Sequence, residues 1–66
     1  MYENLRKELN NKGITHKAVA SMIGCSEKTM QNKLSGKTDF LFKEVMSIRN
    51  DLLPEFTIEY LFSQKN

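Results

Sequence analysis

Lys28 and Asn32 stand four positions apart within residues 24–37, GCSEKTMQNKLSGK. On a helix that spacing puts both side chains on one face. The Lys ammonium only donates hydrogen bonds, whereas the Asn carboxamide donates and accepts. Thr29, Gln31 and Ser35 flank the pair. Groups of these types match the edges of paired bases: Lys donates to guanine O6 and N7, Asn pairs with adenine through two hydrogen bonds, and Thr offers a methyl or a hydroxyl. Composition alone favours a plain solvated helix face, so the surrounding spacing has to decide.

Other chemistries find no residues to carry them. One His and one Cys, with no further cluster, leave a zinc site short of ligands, and no metal or cofactor is expected. There is no Gly-rich phosphate loop, nucleophile motif, HExxH or paired acid and base, so neither an enzyme nor a small-molecule substrate is expected. Cys25 is expected to fill a small, half-buried gap. No apolar run approaches the roughly 18 residues of a membrane span. The first ten residues, MYENLRKELN, contain no apolar signal region, so the expected compartment is the cytoplasm.

Sixty-six residues are expected to form one domain, 1–66, too apolar at 39% hydrophobic residues to be disordered. The net charge of +2 is unevenly placed. Residues 1–38 hold seven Lys/Arg against three Glu, a balance of +4, and residues 39–66 hold three against five Asp/Glu, a balance of −2. A basic half joined to an acidic half fits one face prepared for a polyanion.

The elements that must hold the polar face in place are all helical. No alternating strand pattern or hairpin signal occurs. The first helix is expected over about Tyr2 to Lys12, with Leu5 and Leu9 inward and Gly13 beyond its end. Thr15 caps a second helix, His16 to Ile23, with Val19 and Ile23 inward. Ser26 caps a third, Glu27 to about Ser35, which Gly36 ends. A fourth lies within FLFKEVMSIRNDLL, where Phe42, Val45, Met46, Arg49 and Leu52 mark an apolar stripe ahead of Pro54. Thr57 caps a short fifth helix, IEYLF, with Ile58, Leu61 and Phe62 inward.

Two short helices joined by about three residues with a Gly make a helix-turn-helix arrangement. Ala20 lets the two approach, Gly24 supplies a positive φ at the turn, and Met30 anchors the second. Lys28 and Asn32 then lie nearly opposite Met30, facing outward. Leu34, about 40° from Met30, completes the inward side and leaves Lys33 on the surface, its ammonium in solvent or near phosphate.

THKAVASMIGCSEKTMQNKLSGKT resembles the helix-turn-helix of the phage repressor and Cro-like (XRE) family, most strongly from Thr15 through Lys37, and IEYLF resembles the short closing helix of such domains. The resemblance implies an all-α, five-helix, lambda-repressor-like fold whose second and third helices read double-stranded DNA. It implies base contacts by Glu27, Lys28, Thr29, Gln31 and Asn32. It implies phosphate contacts at His16, Ser35 and Lys37, together with the amides that open both helices. The chain departs from the family pattern at His16, where Gln is common; at Lys33, usually apolar; and at Glu27, which suits the helix dipole and can accept from cytosine N4 but repels phosphate.

Two function classes follow. The first is a sequence-specific transcription regulator of the prophage or mobile-element repressor or Cro-like kind, binding an operator as a weak homodimer strengthened on DNA. Its expected dimer surface is the fifth helix with the loops around Ser35–Phe40. The second is a protein-binding module, antitoxin-like or a modulator of another repressor, favoured by the low net charge, Glu27 and the aromatic-rich second half. Salt dependence separates them, because phosphate contacts release counterions and an apolar patch does not.

Overall fold

Local hydrogen bonding fixes where the helices begin. In a computed structural model that describes residues 1–64, Thr15 Oγ1 accepts from the Ala18 N–H, Ser26 Oγ from Thr29 and Thr57 Oγ1 from Tyr60, each at 3.1 Å. These caps open α2 (His16–Ile23), α3 (Glu27–Ser35) and α5 (Ile58–Leu61), and α1 (Glu3–Asn11) and α4 (Phe42–Leu52) complete the set. Among the described residues there is no strand, and no helix is long and apolar enough to cross a membrane. The last two residues of the expected 1–66 domain lie outside the described residues.

α2 and α3 turn into one another at Gly24, whose φ of 82° is open to glycine at little cost. The Ala20 carbonyl accepts the N–H groups of both Gly24 and Cys25 at 2.9 Å, closing the end of α2. Gly36, at φ 87°, ends α3 in the same way, and a Cβ there would meet the Met1 thioether.

One apolar core joins the elements: Leu5 and Leu9 of α1, Val19 and Ala20 of α2, Met30 and Leu34 of α3, Ile48 of α4, then Leu53 and Leu61. Ala20 is 2% exposed. Ala20→Leu is therefore expected to overpack the core and cost about 1–3 kcal/mol. For a domain this small that is a fall in Tm of very roughly 4–24 °C, to be read from a thermal melt.

Polar ties close the ends. The Tyr60 hydroxyl donates to Glu8 Oε2 at 2.6 Å, and Asn4 Nδ2 donates to the Tyr60 carbonyl at 2.9 Å, fixing α5 on α1. The hydrogen bond to Glu8 raises the Tyr60 pKa. Tyr2, at φ 58°, is the one non-glycine residue with a positive φ among the described residues. Its ring packs edge-on against Phe40 at 5.3 Å and Phe62 at 6.0 Å between centroids, contacts that hold the strained backbone in place.

Two expectations need correction. Lys33 does not lie on the surface. It is 6% exposed, its Nζ is 3.0 Å from Glu44 Oε1, and it donates to the Asp39 carbonyl at 3.1 Å. The ammonium also lies 5.9 Å from the centre of the Phe40 ring. A buried carboxylate on α4 drew this Lys inward, because a desolvated charge needs a partner. The stripe on α4 is also rotated from its expected position. The buried positions of α4 are Glu44 and Ile48, and Phe42, about 120° around the helix from Ile48, is 77% exposed. Val45, Met46, Arg49 and Leu52 are half-buried.

Burial pushes the Glu44 carboxyl up, but the Leu41 N–H and the Lys33 ammonium hold it down, and the net pKa is below the ordinary value of 4.5. A carboxylate with a depressed folded pKa contributes stability above its unfolded pKa, and that stability is lost as pH falls through the folded value. Stability is expected to fall on acidification below pH 4.5, and Glu44→Gln should flatten that part of a pH series of urea unfolding curves.

Candidate nucleic-acid interface

The cap at Ser26 sets the rotation of α3, and Met30 and Leu34, both fully buried, keep it. With those two inward, Glu27, Lys28 and Gln31 are exposed and Thr29 and Asn32 are half-buried, Lys28 and Asn32 lying on the side of the helix nearly opposite Met30. The side chains of Glu27, Lys28, Gln31 and Asn32 form no hydrogen bond or ion pair with any other described residue. Thr29 differs: its hydroxyl accepts from Ser26 Oγ at 3.0 Å, so the cap engages it and the methyl is its freer group.

The end of α3 is tightly wound around the main chain of Asn32. Its carbonyl accepts from the Lys37 N–H at 2.9 Å, the Thr38 N–H at 3.2 Å and Ser35 Oγ at 3.1 Å. Asn32 therefore has its backbone locked and its carboxamide free. Lys37 follows on this turn, exposed and without a side-chain partner among the described residues.

Beside this face two clefts run between α1, α2 and α3. One, of about 430 Å³, is lined by Arg6, His16, Lys28, Gln31, Asn32, Leu34 and Ser35. The other, of about 360 Å³, is lined by Arg6, Asn10, Gly13, Ile14, Thr15, His16, Lys17 and Glu27. Arg6 and His16 line both. Three permanent cations, Arg6, Lys17 and Lys28, border these clefts against one acid, Glu27. His16 opens α2, where amide groups and the helix dipole favour an anion.

Of the nine residues expected to contact nucleic acid, six, His16, Glu27, Lys28, Gln31, Asn32 and Ser35, line these two clefts. Thr29 and Lys37 line neither, although Thr29 lies on α3 and the Lys37 N–H closes its end on Asn32, and Lys33 turns inward. Arg6 was missed by sequence reasoning. It counted toward the charge of the basic half, but only the packing of α1 beside α2 and α3 carries it to the clefts. Its Nε donates to the Met1 carbonyl at 3.1 Å, which steadies the stem of the side chain. Among the described residues no group of three or more His, Cys, Asp or Glu could hold a metal ion. Comparison with protein-family models, with curated proteins and with solved structures returns no match.

Proposed function

We propose that this chain is a sequence-specific reader of double-stranded DNA, a transcription regulator of the compact prophage or mobile-element repressor or Cro-like (XRE) kind, acting in the cytoplasm. α2 and α3 serve as its helix-turn-helix, within a lambda-repressor-like arrangement of the five helices. The observation that carries this reading is the set of free polar side chains on the outer face of α3, beside clefts bordered by cations.

In this reading α3 lies in the major groove. Lys28 donates to guanine, Asn32 and Gln31 pair with adenine, the Thr29 methyl meets a thymine methyl, and Glu27 accepts from cytosine N4. Arg6, His16, Ser35 and Lys37 hold phosphates on either side, helped by the first amides of α2 and α3. Lys33 is withdrawn from the contacts. Occupying an operator in this way blocks polymerase or a competing regulator. Two copies would read half-sites about 34–36 Å apart.

Titration of a duplex at several salt concentrations tests the reading, because several phosphate contacts make affinity fall steeply with salt. Lys37→Ala is expected to weaken all sequences alike and to reduce the magnitude of the slope of log K against log salt by about 1. A slope unchanged by that substitution removes Lys37 from the phosphate contacts. A parent affinity insensitive to salt favours the second reading, a protein-binding module, to which the exposed Leu41 and Phe42 lend support.

A further inference from the structure

We infer that duplex binding by this chain is proton-linked through His16: the imidazole takes up a proton as phosphate enters the clefts beside α3, so affinity rises as pH falls from about 8 to about 5.5. The inference rests on the DNA reading proposed above and adds a regulation to the same site.

His16 is the one histidine of the chain. It is half-buried, and it shares with Arg6 the distinction of lining both clefts. Its ring forms no hydrogen bond or ion pair with any other described residue, so neither ring nitrogen is committed inside the fold. The backbone that carries it is fixed. The Thr15 carbonyl accepts from the Val19 N–H at 3.1 Å, and Val19 and Ala20, both buried, set the rotation of α2.

The charged groups that share the clefts with the ring are Arg6 from α1, Lys17 from α2, and Glu27 and Lys28 from α3. Side chains of those four types keep their charge between about pH 5 and 8, whereas an imidazole changes its charge there. The three cations attract phosphate throughout that range, so the imidazole tunes affinity and does not switch it on.

A phosphate oxygen only accepts hydrogen bonds. A neutral imidazole meets it with one N–H, and an imidazolium with two N–H groups and a full positive charge. An anion within about 4–6 Å favours the charged form. The bound state then holds more protons than the free state, and linkage makes affinity increase as pH falls.

The test is fluorescence anisotropy of the full chain with a labelled duplex of about 20 base pairs, long enough for two half-sites, at constant ionic strength between about pH 8 and about pH 5.5. For each copy bound, the parent should bind roughly five- to tenfold more tightly at the acid end. His16→Gln keeps a donor but cannot gain a proton, and its affinity should stay within roughly twofold over the range. Glu27→Gln should keep the parent's response, which assigns the proton to the imidazole and not to the neighbouring carboxylate. A measurement on the unaltered chain supports these: by NMR, the His16 ring should titrate at higher pH with duplex bound than without. Equal affinity across the range overturns the inference and leaves the DNA reading standing. A pH response that survives His16→Gln does the same. No binding at any pH overturns both.

Discussion

Lys33→Ala is expected to leave much of the chain unfolded at 25 °C. The substitution removes the ammonium 3.0 Å from Glu44, whose side chain is 10% exposed, and strands that carboxylate away from water. Breaking a buried pair by removing one partner costs about 3–5 kcal/mol. A core of this size supplies a net stability of about the same amount. The variant also releases the Asp39 carbonyl and the contact with Phe40, loosening the segment between α3 and α4. Urea unfolding followed by circular dichroism measures the loss. Lys33→Met combined with Glu44→Gln should recover most of it, because the Gln carbonyl can still accept from the Leu41 N–H. A Lys33→Ala curve within about 0.5 kcal/mol of the parent would mean that the ammonium is solvated and the pair is not formed.

Replacing Lys28 and Asn32 together by Ala should abolish site preference while leaving the fold intact. Each side chain that reads a base is worth about 1–3 kcal/mol of discrimination. As neighbours on one helix face the two need not add, so the double variant is expected to lose about 2–5 kcal/mol on the preferred duplex. The cost to stability should stay within about 0.5 kcal/mol, because neither side chain has a partner among the described residues. Competition between the preferred and a scrambled duplex is the measurement, and the two affinities should converge. Preference retained by the double variant would mean that the reading face lies elsewhere.

What the chain revealed before folding was local. Thr15, Ser26 and Thr57 announce helix starts because a cap bonds to an amide three residues on, and Gly24 and Gly36 announce ends because few other residues accept their φ. The outward face of α3 was legible for the same reason, since its rotation follows from Met30 and Leu34 at helical spacing. What failed was tertiary. A stripe counted from Phe42 assumes that apolar residues alone turn inward, and Glu44 breaks that assumption. It is buried because Lys33, 11 positions earlier, meets it across the α3–α4 junction, and no periodicity encodes a charged pair of that kind. Arg6 was hidden for a related reason: its place beside α2 and α3 depends on how α1 packs, not on its own surroundings in the chain.

The central claim is that α3 reads DNA sequence, and selection from random duplex DNA with the purified chain, at low and at physiological salt, tests it most directly. The account predicts enrichment of a pseudo-palindrome with half-sites one helical turn apart and retention that falls as salt rises. Failure to retain duplex at either salt would contradict it.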